Sequence, residues 1–397
     1  MVITGNETGS DCRIKAELKK SGGRAIHLNS KVEALYGKQI LRKVNEQLDF
    51  YGIEHVSLDI HDEGALEFVM AARLEAAMKQ LKPSIKEYVP EIIAQNKYHT
   101  EKNRPRRSRL YLPGNSPKLM LNAGIHKPDG LILDLEDAVA PAKKQEARYM
   151  VRNTLASLDL LGAERMVRIN QLPMGLDDLN FCVPYNVNLI LLPKCESADQ
   201  IRQVENKIIE IQKLNNITEP VWLMPIIESA LGVIKAFEIA SASEHVVALA
   251  IGLEDYTADL GTLRTNGGQE SFYARSALVN AAKAAGIQAI DSVFSDVGDM
   301  EALAANVQVS KSLGFDGMGC IHPRQIKVIH DGYAPEDKEV KKARAICFAF
   351  FEAEKKGLGV VSLGSKMIDA PVVKRALHTM DMAVQAGKIS ANWREEE

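Results

Sequence analysis

A repeat of short β-rich runs after Arg107 is the feature that most constrains the fold. Eight runs occur in order: SRLYLP, GLILDLED, RMVRIN, NLILLPK, VWLMPIIE, VVALAIG, IQAIDS and GFDGMGCIHP. The stretches between them, such as ESADQIRQVENKIIEIQKL, have helical periodicity and composition. Strand–helix alternation repeated eight times predicts an α/β fold, a (β/α)8 TIM barrel over residues 106–335. An open doubly wound sheet would normally place a glycine-rich phosphate loop after its first strand, where YLPGNSP has one glycine.

The rest of the chain divides into three parts. Residues 1–82 predict a small α+β module, with strands at AIHLN and HVSLDI and helices over Val32–Tyr51 and Gly64–Met78. Prolines interrupt residues 83–105, which are expected to form a linker with a weak helix near Ser84–Gln95. Residues 336–397 are expected to form a C-terminal helical extension. A basic run at the junction of linker and barrel is expected to be solvated, with phosphate contacts, or a place for Arg107 in the barrel, as the alternatives. Its residues are Arg104, Arg106 and Arg107.

Charge and composition argue against some classes of partner. A net charge of -3 and a pI near 6.4 give no reason to expect nucleic acid or an anionic membrane as a partner. The chain shows no secretory leader and no apolar stretch of membrane-spanning length, so a cytoplasmic location is expected. The five cysteines are widely spaced without a C-x-x-C pair, which predicts free thiols.

Polar residues cluster at the carboxyl ends of the predicted barrel strands, where TIM barrels build their active sites. Carboxylates at such a mouth need cations, because unpaired charges are costly in a low-dielectric pocket. Oxygen ligands without thiols or paired histidines favour Mg²⁺, and Glu228 and Asp255, on adjacent strands, are the predicted ligand pair. His322 is expected to form a hydrogen bond within the rim. The other strand-end candidates are Asp134, Glu136, Asp137, Arg168, Lys194 and Asp291.

The strings RSRLYLPGN, LDLEDAVAPAKKQEAR, VRIN, LLPKCES, PIIESALG, ALAIGLEDYTADLG and CIHPRQI resemble the citrate lyase beta-subunit (HpcH/HpaI aldolase) family over roughly residues 107–373. The resemblance implies that Glu228 and Asp255 hold the metal and that Arg168 is catalytic. It also implies that Asp369, in KMIDAP, is catalytic and comes from a neighbouring subunit, and hence that the chain forms a homo-oligomer, a trimer or a hexamer. The resemblance assigns Arg109 and Lys194 to substrate or CoA binding, and the strand-end residues Asp134 and Glu136 are predicted to share that role.

The N-terminal module has a resemblance of its own. GNETGSDCRI, IHLNSKVEALYGKQI and HDEGALEFVMAARLEAA resemble the citrate lyase acyl-carrier (gamma) chain. Such chains carry a phosphoribosyl-dephospho-CoA arm on a serine, and the aligned position here is Gly9, with Ser10 adjacent. Either Ser10 carries the arm, or the module is unloaded and has become a docking element. In the second case, free CoA thioesters are the substrates.

These resemblances imply a Mg²⁺-dependent carbon–carbon lyase that cleaves a citryl-type thioester, carrier-bound or CoA-linked, to oxaloacetate and an acetyl thioester. Segments such as GLGVVSLGSKMIDAP favour the citryl substrate. Two alternatives stay open: a citramalyl-CoA or malyl-CoA lyase that releases pyruvate or glyoxylate, and a non-catalytic docking subunit. The implied protein partner is a CoA-transferase similar to the citrate lyase alpha chain.

Overall fold

Eight parallel strands close into a barrel in the computed structural model, which describes residues 1–355, 357, 361–363 and 366–395. The predicted TIM barrel is confirmed, and each of the eight β-rich runs contains one strand. The strands are β5 (Ser108–Pro113), β6 (Gly130–Asp134), β7 (Glu164–Arg168), β8 (Leu189–Leu192), β9 (Trp222–Ile227), β10 (Ala248–Ile251), β11 (Gln288–Asp291) and β12 (Gly317–Cys320).

Helices surround the barrel and return the chain from each strand to the next. Apolar side chains on both faces bury every strand, as expected of a parallel sheet covered by helices. The helices are α3 (Pro117–Met120), α4 (Lys144–Ser157), α5 (Met174–Asp178), α6 (Ala198–Asn215), α7 (Ala230–Ile234), α8 (Ala236–Ala240), α9 (Leu253–Leu260), α10 (Gln269–Ala284), α11 (Met300–Leu313) and α12 (Pro323–Tyr333).

The N-terminal module is a four-stranded sheet in the order β1-β2-β4-β3, covered by helices α1 and α2. The sequence predicted β3, β4 and both helices but missed β1 and β2. The seven-residue β2 alternates buried and half-buried positions, a pattern the sequence already contained. Their bounds are β1 (Val2–Thr4), β2 (Cys12–Leu18), β3 (Arg24–Ser30), α1 (Glu33–Phe50), β4 (Val56–Asp62) and α2 (Glu67–Leu81).

The module packs firmly against the barrel through α2 and α4. Arg152 of α4 donates to both carboxylate oxygens of Glu75, and neither side chain is solvent-accessible. Arg73 of α2 pairs with Asp11 at 2.9 Å and lies 3.6 Å from Glu146 at the start of α4. Buried ion pairs of this kind tolerate little displacement, because separating the partners leaves an uncompensated charge. The module is therefore fixed to the barrel.

The segment between the module and the barrel is also anchored. The amide of Asn96 donates to the carbonyls of Leu155 and Leu158, and the indole of Trp222 donates to the carbonyl of Thr100. The predicted helix at 84–95 is wrong: only a 3-10 turn at Ala94–Asn96 forms, because these residues bond to the barrel instead of to each other.

The expected solvation of the basic run is also wrong. Arg106 is fully buried and donates to both carboxylate oxygens of Glu164. Arg107, at the edge of β5, pairs with Asp129. These arginines therefore hold the base of the barrel together instead of facing water.

The C-terminal extension consists of two helices that pack on each other and a short antiparallel hairpin. Asp369 precedes the second helix, and its carboxylate accepts a hydrogen bond from the Val372 N–H at 3.2 Å. The bounds are α13 (Asp337–Lys355), β13 (Val361–Leu363), β14 (Lys366–Ile368) and α14 (Ala370–Gln385). Part of the GLGVVSLGSK stretch, residues 358–360 and 364–365, lies outside the described residues.

All five cysteines are buried and free, so the prediction of unpaired thiols is confirmed. Among the described residues, no helix combines the length and apolar character that crossing a membrane requires.

Candidate active site at the barrel mouth

A cavity of about 650 Å³ occupies the barrel and opens where its strands end. Eight of the residues named in the sequence analysis, Asp137 among them, line it together, as expected for strand ends that meet at one face of a TIM barrel. The lining residues that bear on the chemistry are Arg109, Tyr111, Asp134, Arg168, Glu228, Asp255, Asp291, Ser292 and His322.

Glu228 follows β9 directly and is 6% exposed. Its Oε2 accepts the Lys194 backbone N–H at 2.8 Å, which orients the carboxylate. Gly252, after β10, leaves the space that this carboxylate occupies, because a Cβ there would lie 2.4 Å from Oε1. Burial raises the pKa of Glu228 to about 7, and the nearby Asp255 adds to the rise. This buried acid is therefore poised to exchange a proton for another cation.

Asp255 lies in the first turn of α9 and is more open, with 40% of its side chain exposed. The Lys194 ammonium lies 3.2 Å from Asp255 and 3.7 Å from Glu136, so one cation joins the two acidic groups. Although burial opposes its charge, Asp255 and Glu136 raise the pKa of Lys194. The mouth is therefore acidic overall and already attracts positive charge to the carboxylates.

Arg168 ends β7 and forms a bidentate pair with Asp134, at 2.8 and 2.6 Å. A third nitrogen lies 3.0 Å from Glu136. Burial raises the pKa of Glu136, whereas Arg168 lowers it, and the Gln171 amide donates to the same carboxylate. The Arg168 guanidinium also lies over the Tyr111 ring, 5.3 Å from its centroid. Its orientation is thus fixed before any substrate arrives.

The residues at the mouth suit a hard divalent cation. Glu228 and Asp255 offer oxygen donors from adjacent strands to one cavity, and the space at Gly252 keeps the buried carboxylate free of crowding. No group of three or more His, Cys, Asp or Glu side chains that could hold a metal occurs among the described residues. Two carboxylates are the number that Mg²⁺ commonly takes from a protein, with water and substrate at its other positions.

The remaining predicted residues lie in other places. Arg109 lines the cavity but lies inside the barrel, 1% exposed. His322 accepts a hydrogen bond from the Arg324 N–H and caps α12, which confirms the expected role in the rim. Asp369 lies outside the residues that line the cavity in its own chain. Ser10 lies in the turn before β2, next to the buried Asp11.

The sequence analysis missed three residues that shape the site. Tyr111, Gly252 and Gln171 contact or make room for Arg168, Glu228 and Glu136, respectively. Tyr111 could have been found, because it is two residues from Arg109 on one strand and must face the same side. Gly252 and Gln171 carry no signal in a single sequence, since their roles depend on contacts across different strands.

Comparison with protein families identifies both parts of the chain. Residues 107–323 match the model described as HpcH/HpaI aldolase/citrate lyase. Residues 1–81 match the model described as the malonate decarboxylase delta subunit, an acyl-carrier (ACP) model. The acyl-carrier-like character of the N-terminal module is thereby confirmed.

Individual relatives agree with the barrel match. The citrate lyase subunit beta of Leuconostoc mesenteroides is 42% identical over 285 residues, which are 70% of this chain and 94% of the relative. Human mitochondrial citramalyl-CoA lyase is 32% identical over 320 residues, 78% of this chain and 94% of that protein.

Solved structures of relatives contain metal and ligands. The CitE protein of Mycobacterium tuberculosis, in complex with magnesium, acetoacetate and coenzyme A, has a TM-score of 0.59 at 30% identity and covers 71% of this chain and 99% of its own. The citrate lyase beta subunit from the same organism, with oxaloacetate and magnesium, has a TM-score of 0.51 at 31% identity and covers 59% of this chain and 100% of its own.

Proposed function

Since the chain belongs to the HpcH/HpaI aldolase/citrate lyase family, we propose that it cleaves a citryl-type 3-hydroxyacyl thioester to oxaloacetate and an acetyl thioester. One observation carries the proposal: Glu228 and Asp255 share a single cavity with the Arg168 cluster. An acidic pair for a cation and a fixed guanidinium are the two charged partners that the cleavage of a hydroxy-acid thioester requires.

The reaction is a reversed Claisen cleavage. The hydroxyl loses one proton and becomes the keto group as the carbon–carbon bond breaks. The electron pair of that bond moves into a thioester enolate, which takes up one proton at carbon, so that no proton is gained or lost overall. Glu228 and Asp255 would hold Mg²⁺, which would supply a Lewis acid for the substrate hydroxyl and carboxylate. Arg168, held by Asp134 and Glu136, stabilises negative charge on the substrate as it develops.

Asp369 is proposed to exchange the proton at the thioester carbon, acting in the cavity of a neighbouring subunit. Its place supports this role: within its own chain it caps α14, in an extension that packs mainly on itself. A second copy must then provide this aspartate, so the active form is a homo-oligomer, a trimer or a hexamer.

The N-terminal module is proposed to present the acyl group. Ser10, half-buried with a φ of 66°, is the candidate attachment site for a phosphoribosyl-dephospho-CoA arm. The adjacent Asp11 pairs with Arg73, which also donates to the carbonyl of Asn115 just after β5. An arm on Ser10 would therefore start on the mouth side of the barrel. A CoA-transferase similar to the citrate lyase alpha chain is the proposed partner that loads it.

Intact-mass measurement of the purified protein tests the arm. A mass increase equal to phosphoribosyl-dephospho-CoA, lost in Ser10→Ala, supports carrier-bound substrates. An unmodified chain that turns over free thioesters assigns substrate delivery to CoA instead, and the mouth residues keep the same roles.

A citramalyl-CoA lyase is the second candidate, favoured by the identity to the human enzyme of that name. The deciding experiment is a Mg²⁺-dependent cleavage assay with citryl-, citramalyl- and malyl-CoA, read out as oxaloacetate, pyruvate and glyoxylate. Oxaloacetate production that stops with EDTA and in Asp255→Ala supports the proposal. Unchanged turnover of Asp255→Ala in EDTA would overturn it, because removal of a metal ligand should cost about a thousandfold in rate.

A further inference from the structure

One arginine in the barrel interior has no acidic partner. Arg109 of β5 is 1% exposed, its Nη1 lies 2.9 Å from the Met224 sulfur, and its Nε has no hydrogen-bond partner among the described residues. The other fully buried arginines pair with carboxylates or donate to backbone carbonyls. They are Arg73 with Asp11, Arg106 with Glu164, Arg152 with Glu75, and Arg165 with the carbonyls of Asn186 and Tyr98.

Such an arrangement is costly for the fold alone. A guanidinium keeps its charge even where burial lowers the pKa of Arg109, and a buried charge without a partner costs several kcal/mol. The neighbouring interior positions carry apolar side chains, including Met166, Met224 and Ile290. An apolar residue at position 109 would extend that core at no such cost. The arginine therefore needs a partner that comes from outside the chain.

The cavity provides a path to this guanidinium. Arg109 lines the same cavity as Glu228 and Asp255. Gly319 lies opposite Arg109 on the paired strand β12, and a Cβ at Gly319 would lie 2.7 Å from the Val293 Cγ1, 3.2 Å from the Tyr111 Cε2 and 3.7 Å from the Arg109 Nη2. The glycine therefore leaves room for Val293 and Tyr111, which line the cavity beside the guanidinium. Tyr111, two residues along the same strand, lies on the route between Arg109 and the mouth.

The other arginine in the cavity is already neutralised. Arg168 carries two carboxylate partners, Asp134 and Glu136, so it adds little net positive charge for a substrate anion. Arg109 is the cation in this cavity whose charge is unmatched. A fully charged ligand group compensates it better than a neutral oxygen does, and a carboxylate matches the planar fork of a guanidinium.

We propose that Arg109 binds the second carboxylate of the substrate at the inner end of the cavity and thereby selects citryl over citramalyl thioesters. This inference rests on the proposed function. A citryl group has two free carboxylates: one lies beside the hydroxyl, where the Mg²⁺ that Glu228 and Asp255 would hold is its partner, and the other ends a carboxymethyl arm that reaches inward to Arg109. A citramalyl group has a methyl in place of that arm and would leave the buried charge unpaired.

Arg109→Met tests the assignment, because methionine fits among Met166 and Met224 and removes the charge. The variant is expected to lose on the order of a hundredfold or more in kcat/KM for citryl-CoA and much less for citramalyl-CoA, so that the ratio between the two substrates falls. Arg165→Met is the matched control, since it also removes a buried arginine without a carboxylate partner, but one that faces the 83–105 segment. Arg165→Met should lower the free energy of unfolding and leave the ratio of kcat/KM for citryl-CoA to that for citramalyl-CoA unchanged.

Calorimetric binding of oxaloacetate and pyruvate, each with Mg²⁺, gives a readout that needs no turnover. Wild type should prefer oxaloacetate, and Arg109→Met should lose that preference while it still binds pyruvate. If no thioester is cleaved, the proposed function fails and the binding preference alone decides the role of Arg109. The inference is overturned if Arg109→Met leaves the ratio of kcat/KM for citryl-CoA to that for citramalyl-CoA unchanged, whether or not both values fall. It is also overturned if wild type prefers citramalyl-CoA and pyruvate.

Discussion

At the scale of single residues, the position of the Glu228 carboxylate depends on the lack of a side chain at Gly252. A Cβ on Gly252 would overlap the Glu228 carboxylate at 2.4 Å, so Gly252→Ala should displace that carboxylate. We expect activity to fall on the order of a hundredfold, with weaker Mg²⁺ binding and an unchanged fold. Gly267→Ala is the control, because the nearest atom lies 3.9 Å from its added Cβ. Equal activity of both variants would remove the steric role of Gly252.

The raised pKa of Glu228 leads to a second prediction, which concerns metal binding. Mg²⁺ must displace a proton while the pH is below the pKa of about 7. The dissociation constant should therefore fall roughly tenfold for each pH unit up to about 7 and then level off. Titration calorimetry across this range measures it, and a pH-independent constant would contradict the prediction.

The same shift affects the metal-free protein. The pKa of Glu228 rises on folding from its ordinary value of 4.5, so its contribution to stability is complete below about pH 4.5 and is lost as the pH rises through about 7. Glu228→Gln does not titrate there. Without metal, this variant should melt above wild type at pH 8 and close to it at pH 4.5. An equal difference in melting temperature between the variant and wild type at pH 8 and at pH 4.5 would exclude the effect.

Prediction from sequence succeeded for residues whose place follows from strand ends. Glu228 and Asp255 could be placed in one cavity because parallel strands deliver their carboxyl ends to a common face. The resemblance assigns Arg109 to substrate or CoA binding, and the structure places it inside the barrel, where it lines the cavity. The direction of its side chain depends on which alternate positions of β5 face inward, and a strand buried on both faces does not reveal this from polarity.

At the scale of elements, the buried ion pair between Arg152 and Glu75 is one of the interactions that hold α2 to α4. Arg152→Met should lower the free energy of unfolding by about 3–5 kcal/mol, because Glu75 keeps its buried carboxylate without the guanidinium. The double variant Glu75→Leu/Arg152→Met should recover most of the loss. Chemical denaturation measures both, with Lys327→Met of an exposed pair as the control expected to change little.

The eight barrel strands were predictable because each is a short apolar run between helical stretches. Strand β1 has three residues, too few for periodicity to register, and β2 alternates apolar residues with charged Arg13, Lys15 and Glu17. Residues 84–95 have a helical composition but bind the barrel instead. Local propensity cannot register such tertiary competition, which explains why this helix was predicted wrongly.

At the scale of the whole molecule, the anchored segment should resist proteolysis. Lys86, Lys97 and Lys102 are exposed, yet cleavage requires the backbone to unfold, and hydrogen bonds to the barrel oppose this. Native protein should survive a trypsin treatment that digests the urea-unfolded chain. Asn96→Ala, which frees two barrel carbonyls, should accelerate cleavage here. Rapid cutting of wild type at these lysines would indicate a mobile tether.

Subunit mixing tests the proposed position of Asp369 across the oligomer. Asp369→Ala and Glu228→Gln should each be inactive alone. Refolded together in equal amounts, they should regain activity at roughly a quarter of the sites, where Glu228 and a neighbour's Asp369 meet by random assortment. Asp369 acting within its own chain would restore none, because each chain would lack one of the two groups.

The docking of the two domains was not predictable from one sequence. The pairs that join the module to the barrel are Arg73 with Glu146 and Arg152 with Glu75, and the partners in each pair lie more than 70 residues apart along the chain. No local pattern links residues so far apart in one sequence. The content of the domains therefore followed from motifs, whereas their junction did not.

The depth of the cavity imposes an order on product release. Its inner end, at Arg109, is closed by buried side chains, so substrate enters and products leave through the mouth. In the proposed cleavage, the keto acid would form at the inner end and the acetyl thioester nearer the exit. The acetyl product would then depart first, and added oxaloacetate should act as a product inhibitor that competes with the incoming thioester.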